Sequence, residues 1–192
     1  MPIPNDAALE FLLTRRSRPA KTLQAPAPDR EALLPLLKAA ARSPDHGKLE
    51  PWRFIVLERP ALTRLADLAQ ARGEALGMDD AACGKARLQY DQGHLAVAVI
   101  SAPKPSEKIP EIEQIYSAGA VCLALLNAAL AAGWGANWLS GWPSHDRTFI
   151  KEGLGLQAHE SVAGLIFLGT ERMAPPDRPR PDLEQITTWV SE

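Results

Sequence analysis

The chain has 192 residues, of which 46% are hydrophobic and 23% are charged, and its formal net charge is −2. This length and composition predict one globular domain, residues 1–192, and exclude a disordered chain. The near-neutral charge gives no bulk attraction to nucleic acid or to an anionic membrane. The two cysteines, Cys83 and Cys122, match neither a disulfide framework nor a zinc motif, which favours reduced thiols in the cytoplasm.

The sequence begins without the basic start and apolar run that are typical of a signal peptide. Its longest apolar stretch, residues 118–132, is interrupted by Asn127 and is too short and too weakly apolar to span a bilayer. We therefore expect a cytoplasmic protein without a membrane-spanning segment.

The first quarter of the chain is predicted to be helical. A helix over residues 6–16 has Asp6 as its predicted cap. A second helix begins near residue 29 and is expected to start late or to kink at Pro35.

Strands and helices alternate through the rest of the chain. A long helical segment, interrupted at Gly73 and Gly77, leads to a continuous apolar strand that we expect to be covered on both faces. The longest helix is apolar nearly all round in its second half, which indicates burial in the domain or in a subunit interface. The predicted elements are strand 53–57, helix 61–90, strand 95–100, helix 111–132, strand 136–139, helix 146–152, strand 161–168 and an apolar strand-like tail at 185–190. This order indicates a mixed α/β protein.

Three segments carry residues that are suited to ligand binding. The first is Arg15-Arg16-Ser17, at the end of the first predicted helix. Arginine forks bind phosphate oxygens and serine adds a donor, so this segment can hold a phosphate. Cations at a helix C-terminus also complement the helix dipole without any ligand, which is the alternative interpretation.

The second segment is the loop at residues 42–54, where His46 can donate to a carbonyl or a ring nitrogen. The alternatives are a surface histidine at position 46 and a core anchor at Trp52.

The third segment, residues 133–141, contains three glycines and two tryptophans, which fits a backbone that approaches a flat ring. The alternative there is a tight helix-to-strand connection capped by Gly133.

Together, in this order and at these separations, the segments resemble the nitroreductase family. The resemblance spans about residues 5–190, and Ser43-Pro-Asp-His46 is closest to the family's compact single-domain branch. It is carried by Arg15-Arg16-Ser17, Ser43-Pro44, Pro51-Trp52-Arg53-Phe54, Gly133-Trp134-Gly135 and Leu168-Gly169-Thr170. The resemblance implies an α+β fold with a central, mostly antiparallel sheet flanked by helices, in an intertwined homodimer.

The same resemblance implies an FMN site that straddles the dimer interface. Arg15, Arg16 and Ser17 would bind the FMN phosphate and ribityl chain. Arg42 and His46 would reach the same flavin from the partner subunit.

Further roles follow from the same resemblance. Trp138, Leu139 and Ser140 would lie beside the isoalloxazine ring, and a tail arginine, Arg180 or Arg178, would add a phosphate contact. The nicotinamide site would be bordered by Ala128, Ala129, Leu130, Ala131, Ala132 and Gly133.

Two positions depart from the family pattern. Relatives often carry a basic residue that faces the flavin N1 and O2 edge, and this chain has Pro19 at that position. Whether Arg18 or Lys21 takes the place of the basic residue stays open. Leu139 stands where relatives can carry arginine, which implies a less cationic site and a less acidic substrate.

The implied activity is a ping-pong transfer of hydride from NADH or NADPH, through flavin N5, to an electron-poor acceptor. Nitroaromatics, quinones, activated alkenes and small aldehydes are all open as acceptors. No side chain is assigned a catalytic role, because the flavin carries the chemistry. No metal is expected, since the four histidines lack ligand spacing. The alternative function is a non-catalytic flavin-binding or interaction protein on the same dimeric scaffold.

Overall fold

The computed structural model describes residues 3–192. Its helices are α1 (Asp6–Thr14), α2 (Arg30–Ala40), α3 (Arg59–Ala75), α4 (Asp80–Asp91), α5 (Glu111–Ala131), α6 (Arg147–Leu154) and α7 (Leu183–Ile186). Its strands are β1 (Leu23–Gln24), β2 (Trp52–Glu58), β3 (Leu95–Ser101), β4 (Gly135–Leu139) and β5 (Ser161–Glu171). The expected α+β architecture is confirmed.

The sheet is built around β5. This strand pairs with β3 and β4 along its length and with β1 near its end, while β2 pairs with β3 as an outer strand. Every one of these pairings is antiparallel in the part of the chain that the structure describes.

Helices cover both faces of the sheet. One core cluster joins α2 and α5 to Val97, Val99 and Ile166, and the other joins α3, α4 and α6 to Ala98 and Phe167. All seven residues of β3 are buried, so the prediction of a strand covered on both faces is confirmed. Since side chains alternate along a strand, β3 and β5 contribute to both clusters.

Local details near the N-terminus differ from the sequence-based expectations. Asn5, not Asp6, caps α1, because its side chain accepts the Ala8 N–H. Helix α2 runs through Pro35 without interruption. Proline costs the helix one bond to the Glu31 carbonyl, and both residues are exposed, so water can replace that bond.

The expected break at Gly73 is wrong, whereas Gly77 does end the helical run. Gly73 is buried inside α3, and a side chain there would collide with Cys83 of α4. This glycine therefore permits close packing of two helices. Gly77 has φ 69° in the turn that separates them.

The C-terminal prediction is wrong for this chain taken alone. Residues 185–190 form no strand: α7 is a single short turn, and Trp189 is 91% exposed. Helix α6 also ends later than expected, at Gly155 with φ 69°, because Gly153 is buried against Leu65.

Helix α5 is long and apolar enough, by length and composition, to cross a membrane; the mean hydropathy of its best window is 1.5. The helix is longer than the apolar stretch at residues 118–132 because it begins at Glu111. Its Val121, Cys122 and Leu125 are buried against the sheet, and core helices of soluble proteins pass the same test.

Among the exposed large apolar side chains of the described chain, groups of them lie on α1, on α5 and in the C-terminal tail. Helix α1 buries none of its residues. One side of α5 exposes a stripe at positions that share a helical face. The residues of these three groups are Leu9, Leu12 and Leu13 on α1, Ile112, Ile115, Tyr116 and Leu123 on α5, and Leu183, Ile186, Trp189 and Val190 in the tail.

Candidate functional site

The segment that follows α1 is fixed against the sheet. The Arg18 N–H donates to the Ala136 carbonyl at 2.8 Å, and the Asn137 amide donates to the Arg18 carbonyl at 2.9 Å. The Arg18 guanidinium lies 2.7 Å from the Glu171 carboxylate. The charge of Arg18 is therefore paired with the carboxylate of Glu171, and the backbone just before Arg18 has a defined position beside β4.

The two arginines before it differ from Arg18, because neither forms an ion pair within residues 3–192. Arg15 donates to the Ser17 hydroxyl at 3.0 Å, and Arg16 donates to the Pro176 carbonyl at 3.1 Å. The Nε atoms of Arg15 and Arg16 are buried and have no acceptor in the described chain. Both side chains are half-buried, so two positive charges without a carboxylate partner in the described chain lie together at the end of α1.

Arg180 of the tail adds to this positive charge. Burial lowers the pKa of Arg15, and repulsion from Arg180, Arg16 and Arg18 lowers it further. Arg180 lines a cavity of about 370 Å³ together with Arg16. Of the two tail candidates, Arg180 is the one that approaches the cluster.

A second cavity, of about 340 Å³, opens between the end of α1 and the end of α5. We call it the arginine pocket. Arg15 and Arg16 line it together with Leu130, Gly133 and Trp134, and the Arg18–Glu171 ion pair also borders it. The structure thus brings the predicted phosphate-binding residues next to the predicted nicotinamide stretch.

That stretch is only partly accessible. Ala129 is fully buried in the core, so its side chain does not reach the pocket. Gly133 has φ 82° and ends α5, as the capping interpretation expects, and it also lines the pocket. The capping interpretation of Gly133 is confirmed, and its place beside a bound ring stays a prediction. Ala131 and Ala132 are exposed, while Ala128 is half-buried.

Strand β4 leads away from the arginine pocket towards Trp138 and Ser140. Trp138 lies four residues beyond Trp134, or about 13 Å along an extended strand. Its indole packs over Gly164, where a methyl group would collide with it. The half-buried Leu139 packs its side chain against the α3/α4/α6 cluster. The Ser140 hydroxyl is 3.1 Å from Nε2 of His145, a histidine to which the sequence assigned no role.

Arg42 and His46 lie far from the arginine pocket within one chain. Nδ1 of His46 contacts the Glu113 carboxylate at 2.7 Å, near the start of α5. Leu130 lies near the end of the same helix, about 25 Å away at about 1.5 Å per residue. The structure therefore separates the predicted site residues into two groups at opposite ends of α5.

The sequence reasoning missed Glu113, because its partner His46 is distant in the chain. Trp52, considered as a core anchor, is half-buried and packs on the α2/α5 cluster. Within residues 3–192, no three His, Cys, Asp or Glu side chains lie close enough together to hold a metal ion.

The geometry places two arginines in a cavity beside the end of α5, and β4 leads from there to the indole of Trp138. A sequence model of the nitroreductase family matches residues 12–170. The chain therefore belongs to the nitroreductase family, and it is an oxidoreductase.

Two relatives match most of the chain. The Escherichia coli K12 protein named "Putative NAD(P)H nitroreductase YdjA" is 35% identical over 166 residues, which cover 86% of this chain and 89% of that protein. A Haemophilus influenzae protein named "Putative NAD(P)H nitroreductase" is 36% identical over 165 residues, which cover 85% and 88% of the two chains.

Solved structures share the fold. A nitroreductase-like family protein from Bacillus cereus has a TM-score of 0.76 and 22% identity, with 99% of this chain and 98% of that chain covered. A structure from Desulfovibrio desulfuricans, described as a "putative nitroreductase in complex with fmn", has a TM-score of 0.74 and 22% identity, with 98% and 99% covered.

Proposed function

We propose that this chain is an FMN-dependent NAD(P)H oxidoreductase with a single domain, residues 1–192, that works as a homodimer. When bound, FMN supplies the redox chemistry, taking hydride from NADH or NADPH at N5 and passing electrons to an electron-poor acceptor in a ping-pong cycle. The acceptor class comprises nitroaromatics, quinones, activated alkenes and small aldehydes. The names of the relatives and the FMN complex of the structural neighbour support this assignment.

The observation that carries the proposal is the pair of half-buried Arg15 and Arg16 side chains, whose buried Nε atoms have no acceptor in the described chain. A phosphate beside them would accept their unused N–H groups and offset their mutual repulsion. Ser17 adds a hydroxyl donor, and Arg180 adds a further cation. This part of the chain fits the phosphate of FMN.

The other residues position the reactants and exclude water. Trp138 and Ser140 would border the ring of the cofactor, about one strand length from the phosphate. Leu130 and Gly133 present a small apolar surface on which a nicotinamide can lie. No nucleophilic side chain is needed, because these residues only bind and orient the reacting molecules.

The exposed apolar surfaces support the homodimer. The stripe on α5 runs from Ile112 to Leu123, and Gly119 near the middle of the helix leaves room for close approach of a second helix. A twofold axis there would lay α5 antiparallel to its copy, which brings opposite ends of the two helices together. His46 of the partner subunit would then lie beside the arginine pocket, so the dimer would unite the two groups of site residues.

We also propose a cytoplasmic location. Cys83 and Cys122 are both free and buried in the described chain. Burial raises the pKa of Cys122 to about 12, so this thiol stays protonated and unreactive at neutral pH.

The phosphate assignment is tested by titrating apoprotein with FMN and following the quenching of flavin fluorescence. Arg15→Ala combined with Ser17→Ala is expected to weaken FMN binding about 10- to 100-fold, since a hydrogen bond to a charged group is worth about 1.5–3 kcal/mol. Arg178→Ala is the matched control, because the side chain of this exposed tail arginine forms no hydrogen bond or ion pair in the described chain. Unchanged affinity in the double variant would overturn the assignment.

A further inference from the structure

The loop that carries His46 has an unusual backbone. Gly47, Lys48 and Glu50 all have positive φ, at 72°, 54° and 50°. Residues with a Cβ rarely adopt this region, and such strain persists only where the surroundings hold it in place. Two of these three residues are not glycine. Something outside the loop therefore fixes its conformation.

Helix α5 supplies part of that restraint. The Ser117 hydroxyl on α5 donates to the Pro44 carbonyl at 2.7 Å and accepts the Trp52 indole N–H at 3.1 Å. Within the loop, the Asp45 carboxylate accepts the Glu50 N–H at 2.6 Å. These bonds tie both sides of the loop to one turn of the helix.

A second contact fixes the residue next to His46. Gly47 packs so closely on Ile109 that a Cβ at position 47 would collide with the isoleucine side chain. Ile109 itself is buried just before α5 begins. The position of the His46 backbone is thus set by residues around the start of α5.

The side chain of His46 is set by Glu113. The carboxylate of Glu113 lies 2.7 Å from Nδ1 of His46, although the two side chains are 45% and 63% exposed. An ionised carboxylate only accepts hydrogen bonds, so Nδ1 carries the hydrogen. Nε2, on the far side of the ring, is left as the nitrogen that is available to a ligand.

We propose that Glu113 is a positioning residue for His46: it fixes the ring and the tautomer so that Nε2 meets the flavin bound in the partner subunit. This inference rests on the proposed function, in which His46 completes an FMN site across the dimer interface. The pair is placed suitably, because Glu113 directly follows Ile112 and lies one turn from Tyr116, both in the exposed apolar stripe of α5.

A competing role for Glu113 is purely local. An acidic residue in the first turn of a helix stabilises that helix through its dipole, with or without a ligand. Glu111 occupies the same first turn and is exposed, and it forms no ion pair in the described chain. It is therefore a matched control for the dipole contribution.

A double-mutant cycle on FMN binding separates the two roles. His46→Ala and Glu113→Ala are each expected to raise the FMN Kd about tenfold, the effect of one hydrogen bond to a charged or polarised group. If Glu113 acts through His46, adding Glu113→Ala to His46→Ala causes no further loss. Glu111→Ala should stay within about twofold of the wild type.

Two further measurements test the geometry directly. Glutamine places its amide nearer the position of Nε2 and asparagine nearer that of Nδ1, so His46→Gln should retain more FMN affinity than His46→Asn. Nitrogen NMR of the apoprotein should show His46 with hydrogen on Nδ1 in the wild type, and a mixture of tautomers in Glu113→Ala.

Each contrary result has a distinct meaning. Equal losses from Glu113→Ala in the wild-type and His46→Ala backgrounds would overturn the positioning role, as would an unchanged tautomer. A reversed order of the glutamine and asparagine variants would overturn the assignment of Nε2. Failure of the wild-type protein to bind FMN would overturn the proposed function, and this inference with it.

Discussion

Replacing Glu160 by glutamine is expected to destabilise the fold strongly at neutral pH and weakly at low pH. The Glu160 carboxylate is buried just before β5 and accepts two hydrogen bonds from Arg53, at 2.7 and 2.9 Å. It also accepts the Gln157 N–H at 2.9 Å. Glutamine keeps the shape, but its NH2 group faces donors that the carboxylate oxygens had satisfied.

The magnitude follows from the proton affinity of the carboxyl. Its hydrogen bonds with Arg53 lower the pKa of Glu160 from 4.5 to about 2. At about 1.4 kcal/mol for each tenfold change in proton affinity, this corresponds to about 3 kcal/mol of stability. The Arg53 side chain is 41% exposed, so screening by water reduces the expected value to about 2 kcal/mol.

The direction of the pKa shift of Glu160 determines how its contribution to stability depends on pH. Because the folded pKa is lower than the unfolded one, the contribution is complete above about pH 4.5 and is lost as the pH falls towards 2. Urea denaturation followed by circular dichroism, at fixed protein concentration without FMN, compares Glu160→Gln with the wild type at pH 6.5 and pH 3. The exposed Glu107→Gln is the control.

The free-energy gap between wild type and variant should be about 2 kcal/mol at pH 6.5 and clearly smaller at pH 3. An equal gap at both pH values would refute the assignment of the stability to the charge of Glu160. Absence of a gap at pH 6.5 would refute the importance of the Arg53 pair altogether.

Further predictions concern the ring-binding surface and the interface. Gly164→Ala should displace the Trp138 indole and weaken FMN binding at least several-fold. The control is Gly84→Ala on the open surface of α4, which should leave FMN binding unchanged and raise the melting temperature slightly. Unchanged FMN affinity in Gly164→Ala would contradict the role of Trp138. Leu123→Arg, in the exposed stripe of α5, should raise the dimer dissociation constant at least 100-fold in sedimentation experiments, because each copy loses about 1.5–3 kcal/mol of apolar burial. Leu88→Arg on α4 is its control, and a dimer that survives Leu123→Arg would place the interface elsewhere.

Elements with strong local patterns were predictable from the sequence. The apolar run of β3 and the length of α5 depend on residues that are neighbours in the chain. Gly73 was misread because the reason for a glycine there is Cys83 on another helix. The strand predicted at 185–190 is absent because no described segment of the same chain pairs with it.

In the candidate site, too, features set by neighbouring residues were predictable and contacts between distant residues were not. The sequence pointed to Arg15, Arg16 and Ser17, whose residue types and spacing already indicate an anion site. It did not reveal that Arg18 is matched by Glu171 or that His46 is held by Glu113, because these partners are far apart in the chain. Such pairings arise only when the sheet and α5 are assembled.

The most direct test of the central claim is an anaerobic absorption experiment on the protein loaded with FMN. We predict flavin bands that bleach on addition of NADH or NADPH and return when a quinone or a nitroaromatic is added. Binding of FMN without bleaching by either nucleotide would contradict the enzyme assignment and favour a non-catalytic flavin-binding protein. Failure to take up FMN at all would contradict the site itself.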